Sequence, residues 1–397
     1  MSDIYIIDCV RTPIGAYLGQ YKKTESVELG TQCLQDLFQR NKKIKKNDAE
    51  GLVLGQVLTS GLGMNTARQV ALKSGMSQSS FAYVVNQVCG SGMRAAIEAS
   101  LKIHTKECDL VIAGGQESMS RARHVYLSRT GEKKLGNNIF IDTLVHDGLT
   151  DAFSQEHMGI TAENVARKYN VTRQEQDQYA YESYLKTYKA LKNKYFKNEL
   201  CQTTLKDEVR ADTTLTKLSQ LKPVFKTKGS VSAGNASSLN DGAAFLALAS
   251  SEYIKANKIK PLAKVLSWSS SAGNPDYMGI TPITAIQKLM KKLKARPDIW
   301  HSISINFQTS TSNVILNYDP KSWKLLWGPP TLKEKVGDAN FFFRPQVFRQ
   351  ANIDLFEKDI IPLVTSNIPE NARVAELYSG LGIIGLNCAT KASEVLC

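Results

Sequence analysis

Residues 81–100, FAYVVNQVCGSGMRAAIEAS, contain a strand, a tight turn and a helix in immediate succession. Apolar and β-branched residues at 81–85 predict a buried strand. Small residues at 89–92 predict a turn, and apolar positions at helical spacing predict a helix over 92–104. This order is typical of an α/β protein in which strands and helices alternate.

The neighbouring segments repeat the same alternation on both sides. Strands are predicted at 4–10, 51–58 and 110–113, with Gly114 and Gly115 ending the last of them, and helices at 24–39 and 67–73. Alternating strands and helices favour a parallel or mixed sheet covered by helices. Polar, helical sequence after residue 117, with helices at 161–169 and 174–193, predicts an insertion domain, and strand character returns at 245–248 and 263–267.

Cys89 lies where the predicted strand ends and the helix begins. The first N–H groups of a helix have no partners within the helix. Together with the helix dipole they stabilise a thiolate and lower the pKa of a thiol. Gly90 and Gly92 allow a substrate to approach the backbone closely. The alternative interpretation is a small buried cysteine that fills a strand–helix joint.

Composition restricts the class of protein. The chain has 397 residues, 42% of them hydrophobic, and a formal net charge of +13, which suits an anionic partner such as nucleic acid or a phosphorylated cofactor. An odd count of seven cysteines, without metal-type spacing, indicates free thiols in a reducing compartment. No basic segment precedes the first apolar run, and no apolar stretch is long enough to span a membrane, so we expect a cytoplasmic protein with no membrane contact. Because metal-type spacing is absent, we also expect no bound metal.

The cysteine segment resembles the nucleophile segment of thiolases, which form or cleave carbon–carbon bonds between acyl groups on coenzyme A. The resemblance runs from residue 3 to about 292 and rests on motifs in the family's order: VRTPIGAYLG, VLGQVLTSGLGMNTARQVALKSG, VIAGGQESMSRA, HMGITAENVARKY, GSVSAGNASSLNDGAA and MGITPITAIQKLM. It implies a transferase of fatty acid metabolism with coenzyme A thioesters as substrates and no permanently bound cofactor. It also implies assembly as a homodimer or tetramer.

The resemblance also implies roles for individual residues. Cys89 would attack the acyl carbonyl and hold the acyl group as a thioester. The remaining residues would contact coenzyme A: His157, Met158, Arg210, Leu221, Ala233 and Ser237. Considered without the resemblance, His157 fits a helix-capping or core histidine better than a site residue.

Three further motifs of thiolases do not occur in this sequence. The family places a histidine in Gly-His-Pro, an asparagine in Asn-Glu-Ala-Phe and a second cysteine before a glycine run, all in the last quarter of the chain. No histidine here precedes a proline, and Cys388 is followed by Ala-Thr-Lys. Because these groups supply the base and oxyanion donors, we expect severely impaired or absent turnover.

The last hundred residues, 299–397, resemble uracil-5 RNA methyltransferases. The signals are SISINFQTSTSN, FRPQVFRQAN and VAELYSGLGIIGLNCA, the last a predicted strand at 373–378 followed by a glycine-rich turn. The resemblance implies that a remnant of an S-adenosylmethionine site includes Gln350, Tyr378, Gly380 and Gly382. Because later motifs of that family are not present, we expect neither methyl transfer nor RNA binding.

The predicted fold is α/β: a thiolase-like layered body with an insertion domain, a second thiolase half that is largely absent, and a partial Rossmann-like segment. The predicted domains are 1–117 with 241–250 for the first half, 118–240 for the insertion, 251–295 for the start of the second half, and 296–397 for the methyltransferase-like segment.

Three functions remain open. The chain is an acetyl-CoA acetyltransferase by lineage, or a non-catalytic protein that binds coenzyme A or pairs with a complete subunit, or a non-functional chimera of the two families. The meeting of two unrelated sequence patterns near residue 295 favours a chimeric origin.

Overall fold

The computed structural model describes residues 3–129, 137–210 and 212–294, and beyond residue 300 it describes six short strands and residue 366. The chain forms two compact units, residues 1–288 and residues 289–397.

The first unit contains nine strands and most of the helical sequence within its described residues. The strands are β1 (Ile4–Arg11), β2 (Gly15–Ala16), β3 (Gly51–Gly55), β4 (Phe81–Val85), β5 (Leu110–Ser118), β6 (His124–Val125), β7 (Ile141–Asp142), β8 (Asn240–Ser250) and β9 (Ala263–Val265). The helices are α1 (Ser26–Arg40), α2 (Thr66–Lys73), α3 (Ser91–His104), α4 (Thr143–Gly148), α5 (Met158–Lys168), α6 (Arg173–Lys192), α7 (Leu215–Ser219), α8 (Ser251–Ala256) and α9 (Thr281–Lys294), the last of which continues past residue 288.

A mixed sheet forms the centre of this unit, in the strand order β4-β3-β5-β8-β1-β9, with β2 beside β8. Strand β3 runs parallel to β4 and β5, whereas β8 runs antiparallel to β5 and β1. Parallel neighbours need a crossover connection, and α2 and α3 provide the two crossovers. The carboxyl ends of β3, β4 and β5 therefore meet at one edge of the sheet, next to the Cys89 turn.

Helices cover both faces of the sheet, which explains the nearly continuous apolar runs in its central strands. Leu52 and Leu54 of β3 belong to the hydrophobic cluster that includes α1 and α2, whereas Val53 belongs to the cluster that includes α3. Side chains alternate between the two faces of a strand. The mixed sheet and the covering helices agree with the sequence-based prediction.

Strand β5 corrects one prediction. The sequence was expected to end this strand at Gly114 and Gly115, but β5 continues to Ser118, with Gly114 opposite Phe245 and Gly115 opposite Ala244. A Cβ atom at Gly114 would lie 2.5 Å from Phe245 Cδ1. Glycine in this strand therefore permits a close approach between neighbouring chains and does not end the strand.

Strand β3 is shorter than predicted, since it ends at Gly55 and was expected to reach residue 58. Beyond it, the backbone N–H groups of Val57 and Leu58 donate hydrogen bonds to the Glu117 carboxylate, at 2.9 and 3.3 Å. These two amides therefore find side-chain partners outside the strand ladder.

Arg11 connects the first strand to residues 196–207 of the predicted insertion. Its guanidinium contacts Glu199 at 2.7 Å and Asp207 at 2.7 Å, and it lies 5.0 Å from the centre of the Phe196 ring. Burial would raise the pKa of Asp207, but hydrogen bonds from Arg11 and the amide of Ile14 hold that pKa below its ordinary value. Asp207 is therefore ionised at neutral pH.

The second unit contains six described strands that form three pairs. They are β10 (Ile303–Asn306), β11 (Trp323–Trp327), β12 (Leu332–Val336), β13 (Ala339–Phe343), β14 (Arg373–Ala375) and β15 (Glu394–Leu396). The pairs β10–β11 and β12–β13 are antiparallel, and β14–β15 is parallel. Strand β14 covers the first half of the strand predicted at 373–378.

Substitution Gly55→Ala tests the contact between the sheet and the first turn of α3. The new Cβ would lie 2.6 Å from the Ser91 carbonyl carbon and 2.7 Å from the Gly92 nitrogen, both backbone atoms. We expect a loss of about 1–3 kcal/mol in the free energy of unfolding, measured by urea denaturation. The matched control is Gly92→Ala, because a Cβ there meets nothing within 4 Å. Equal stability of Gly55→Ala and the parent would contradict this account of the packing.

Candidate functional site

Five residues connect β4 to α3 and form the turn that contains Cys89. Val88 adopts a left-handed backbone conformation with φ of 47°, which is unfavourable for a β-branched residue. The Ser91 hydroxyl accepts a hydrogen bond from the Gln87 N–H at 2.9 Å and donates one to the Val88 carbonyl at 2.6 Å. The buried Ser91 side chain therefore fixes the turn on both sides of the strained residue.

The Cys89 side chain is exposed. This exposure excludes the alternative of a buried cysteine that only fills a strand–helix joint. Gly90 is the N-cap residue of α3 and supplies no side-chain cap. The Ser91 N–H donates to the Val88 carbonyl at 3.1 Å, whereas the next two N–H groups, at Gly92 and Met93, have no partner within the helix and can stabilise negative charge. The thiol is thus both accessible and placed beside the positive end of a helix.

A partly buried carboxyl group lies on the same side of β5 as the glycine that packs against α3. Glu117 and Gly115 are two residues apart on the strand and therefore share one face, and a Cβ at Gly115 would lie 3.8 Å from the Gly92 Cα. Burial raises the pKa of Glu117 to about 7, although its bonds from the Val57 and Leu58 amides oppose that rise.

A cavity of about 450 Å³ lies against α5, in the predicted insertion, and its walls are mainly apolar. Its lining includes Leu149, His157, Met158, Val165, Gln176, Phe225, Val231, Asn235, Ser237 and Met278. Ligand sites in proteins have this size and character, with a few polar groups set into an apolar wall. We call it the α5 cavity.

His157 has two roles in the wall of the α5 cavity. Its Nδ1 accepts a hydrogen bond from the Gly159 N–H at 3.0 Å, which caps α5, and its ring stacks on Phe225 with centroids 4.6 Å apart. Burial lowers the pKa of His157, so the ring is neutral at pH 7. Because Nδ1 accepts, the proton of the neutral ring is on Nε2. His157 therefore caps α5 and also lines the α5 cavity.

Glu163 is buried on α5 and holds residues 230–231 beside the α5 cavity, whose lining includes Val231. Its carboxylate accepts hydrogen bonds from the Ser230 N–H at 2.8 Å, the Val231 N–H at 2.8 Å and the Ser230 hydroxyl at 3.1 Å. Three donors on one buried carboxylate fix the backbone of residues 230–231.

Asn235 extends this polar network to α6. Its side chain accepts from the Ser232 N–H at 2.8 Å and donates to Asp177 at 2.9 Å. Asp177 in turn contacts Arg173 at 2.8 Å, and Arg173 donates to the Leu221 carbonyl at 2.9 Å. The α5 cavity therefore has a wall held by α5 and α6 together.

The structure brings together some of the predicted residues and not others. His157, Met158 and Ser237 line the α5 cavity. Arg210 and Ala233 are exposed and Leu221 is half-buried, and these three are not part of the lining. The predicted residues Gln350, Tyr378, Gly380 and Gly382 lie outside the described residues.

Sequence reasoning missed Phe225, Glu163 and Asn235. The sequence contained one signal for Phe225, which is Gly159, the glycine directly after Met158. A Cβ at Gly159 would lie 2.2 Å from Phe225 Cδ2, so a glycine at this position indicates that another residue packs closely against it. For Glu163 and Asn235 the partners are distant in the sequence, and no local pattern indicates them.

Neither a metal centre nor a membrane-spanning helix is found in the part of the chain that the structure describes. Within that part, no group of three or more His, Cys, Asp or Glu side chains is placed to hold a metal ion. Its helices also lack the combination of length and apolar character needed to cross a membrane.

Substitution Ser91→Ala tests how the Cys89 turn is held. It leaves the Gln87 N–H and the Val88 carbonyl without their partner, which costs about 1–3 kcal/mol of stability. The freed turn would move Cys89 away from the positive end of α3, where negative charge is favoured. We therefore expect Cys89 alkylation by iodoacetamide to be about 2- to 5-fold slower, measured by peptide mass spectrometry. Ser183→Ala, at an exposed position of α6, is the control. An unchanged rate in folded Ser91→Ala would refute this role.

Comparison with known proteins identifies the family. Residues 4–252 match the model of the thiolase N-terminal domain. A probable acetyl-CoA acetyltransferase of Escherichia coli K12 is 42% identical over 305 residues, which cover 74% of this chain and 77% of that protein. An acetyl-CoA acetyltransferase of Rhizobium meliloti is 40% identical over 300 residues, covering 73% and 76%.

A solved structure gives the same result. The crystal structure of Acat5 thiolase from Ascaris suum in complex with coenzyme A superimposes with a TM-score of 0.70 at 34% identity, over 74% of this chain and 77% of that one. With the family model matching more than half of its residues, this chain belongs to the thiolase family.

Proposed function

We propose that this chain binds a coenzyme A thioester in the α5 cavity and transfers its acyl group to Cys89. The observation that carries the proposal is the exposed Cys89 thiol at the start of α3 in a member of the thiolase family. In this step the Cys89 thiolate attacks the acyl carbonyl carbon, the bond to the coenzyme A sulfur breaks, and coenzyme A leaves as a thiolate. The product is an acyl thioester on Cys89.

The α5 cavity supports the proposal by its size and lining. Met158, Met278 and Phe225 supply flexible and flat apolar surface for a long, thin substrate arm. His157 Nε2–H and the Ser237 hydroxyl are the polar groups available for the amide and thioester oxygens of such an arm. The coenzyme A bound to Acat5 thiolase is the corresponding ligand in a related protein. Arg210, Leu221 and Ala233 remain proposed contacts for the outer part of coenzyme A.

We propose that carbon–carbon bond formation and cleavage are severely impaired. That reaction needs a second acid/base and additional oxyanion donors. The family's Gly-His-Pro segment, its Asn-Glu-Ala-Phe segment and its second cysteine before a glycine run do not occur in the sequence. His157 does not replace the missing base through Nδ1, because that atom already accepts the Gly159 N–H. The half-reaction on Cys89 needs fewer groups and is the activity that we assign.

Non-catalytic binding of coenzyme A is the alternative that one observation favours. His157 is neutral and committed to capping α5, as expected for a residue that shapes a binding wall without moving a proton. Homo-oligomer formation, a cytoplasmic location and the methyltransferase-like character of residues 299–397 remain predictions.

Acetyl transfer from acetyl-CoA tests the proposal directly. The intact protein is incubated with acetyl-CoA, quenched in acid and digested with trypsin, and the peptide of residues 74–94, which contains Cys89, is examined by mass spectrometry. We expect one acetyl group on this peptide, lost in Cys89→Ala. Acetylation no faster on Cys89 than on the other cysteines would overturn acyl transfer, and coenzyme A binding without acetylation would establish the binding alternative.

Substitution Glu163→Gln tests whether the α5 cavity serves this reaction. The substitution puts a neutral amide in place of a carboxylate that accepts three hydrogen bonds. This change weakens the bonds that hold residues 230–231 by about 1–3 kcal/mol. At low acetyl-CoA we expect acetylation about 5- to 100-fold slower. Glu28→Gln, at an exposed glutamate of α1, is the matched control and keeps the parent rate. Equal rates for Glu163→Gln and the parent would show that the α5 cavity does not take part in the acetylation of Cys89.

A further inference from the structure

Two cysteines that are far apart in the sequence meet inside the first unit. Cys33 is on α1 and fully buried, whereas Cys201 is partly accessible and lies within the predicted insertion. Both side chains pack in the same hydrophobic cluster. The Gln202 N–H, next to Cys201, donates to Asp36 at 3.2 Å, and Asp36 lies about one helical turn beyond Cys33 on α1.

Backbone contacts hold both cysteines against the end of β1. The Cys201 N–H donates to the Arg11 carbonyl at 2.8 Å. The Cys33 thiol contacts the Ala243 carbonyl at 3.5 Å, and that carbonyl also accepts the Thr12 N–H at 2.9 Å. Arg11 and Thr12 are consecutive residues, so the Cys201 backbone and the Cys33 thiol are held at one short piece of main chain. The proximity of the two residues is therefore built into the fold.

The surroundings give the two thiols different reactivity. Burial, with a contribution from Cys201, raises the pKa of the Cys33 thiol well above its ordinary value. Cys33 therefore stays protonated and out of reach of solvent. Cys201 is the one of the pair that a small oxidant can reach. Tyr21 is buried and belongs to the hydrophobic cluster that contains Cys33 and against which Cys201 packs.

We propose that Cys33 and Cys201 are an oxidation site that closes to a disulfide when a hydroperoxide reaches Cys201. The Cys201 sulfur takes the terminal peroxide oxygen and becomes a sulfenic acid, and the peroxide is reduced to an alcohol or water. The Cys33 sulfur then attacks the Cys201 sulfur, and the sulfenic oxygen leaves as water with the proton of Cys33. Two thiols lose two electrons in total, and one peroxide gains them.

The bond would fasten α1 to the segment that anchors the predicted insertion. This segment contains Glu199 and Asp207, which hold Arg11, and Glu208, whose carboxylate accepts the Ala16 N–H at 2.8 Å. A disulfide between such distant positions closes a long loop and restricts the unfolded chain strongly. The oxidised protein should therefore unfold at a higher temperature than the reduced protein.

Peptide mapping of the intact chain tests the proposal. The reduced protein is treated with hydrogen peroxide, its free thiols are blocked with iodoacetamide, and it is digested with trypsin without reductant. Peptides 24–40 and 198–206 contain Cys33 and Cys201, respectively. We expect them to become linked, with dithiothreitol reversing the link. We also expect the midpoint of thermal unfolding to rise by about 5 °C or more.

Three variants make the result specific. Cys201→Ser and Cys33→Ala each abolish the link and the rise in the unfolding midpoint. Cys201→Ser does so at a partly accessible position and leaves the fully buried Cys33 unchanged. Cys89→Ala keeps both effects, which shows that the exposed thiol does not take part. The proposal would be overturned if peptides 24–40 and 198–206 were both recovered with blocked thiols after Cys89 had been oxidised. It would also be overturned if Cys201 ended as a sulfinic acid without a link.

Discussion

The close approach of the first turn of α3 to β3 and β5 is the contact on which the candidate site depends. Gly55 and Gly115 leave the sheet surface bare where the backbone of Ser91 and Gly92 rests on it. Any side chain at Gly55 would displace the helix and, with it, the turn that Ser91 holds. The accessibility of Cys89 and its place beside the helix end follow from this packing.

The sequence predicted those strands, helices and turns that depend on residues close together in the chain. Apolar runs and helical spacing predicted β1, α1, α2, β4 and α3, and the small residues after Val88 predicted the turn at Cys89. The patterns failed at Gly114, where a residue that normally weakens a strand is required by the neighbouring Phe245. They also gave no sign of the Glu163 and Asn235 contacts or of the Cys33–Cys201 pair, because each joins residues distant in the sequence.

The two parts of the candidate site are built by different forces. Main-chain geometry and a helix end place Cys89, whereas a buried polar network involving Glu163, Asn235 and Asp177 shapes the α5 cavity. Buried networks of this kind are costly when one member is lost and specify a single arrangement when complete. His157 belongs to the cavity wall, and its capping of α5 explains why a neutral ring is held there. This division fits the proposed pairing of an acyl acceptor at Cys89 with a ligand site in the α5 cavity.

Protection of Cys89 by coenzyme A is the measurement that tests most directly whether the α5 cavity and Cys89 form one site. The rate of alkylation by iodoacetamide is followed for the Cys89 and Cys201 peptides of the intact protein, with increasing coenzyme A. The account predicts that coenzyme A slows alkylation of Cys89 in a saturable way and leaves Cys201 unaffected, and that Glu163→Gln shifts saturation to higher coenzyme A. Alkylation of Cys89 that is independent of coenzyme A would contradict it, because the ligand cavity and the nucleophile would then be separate.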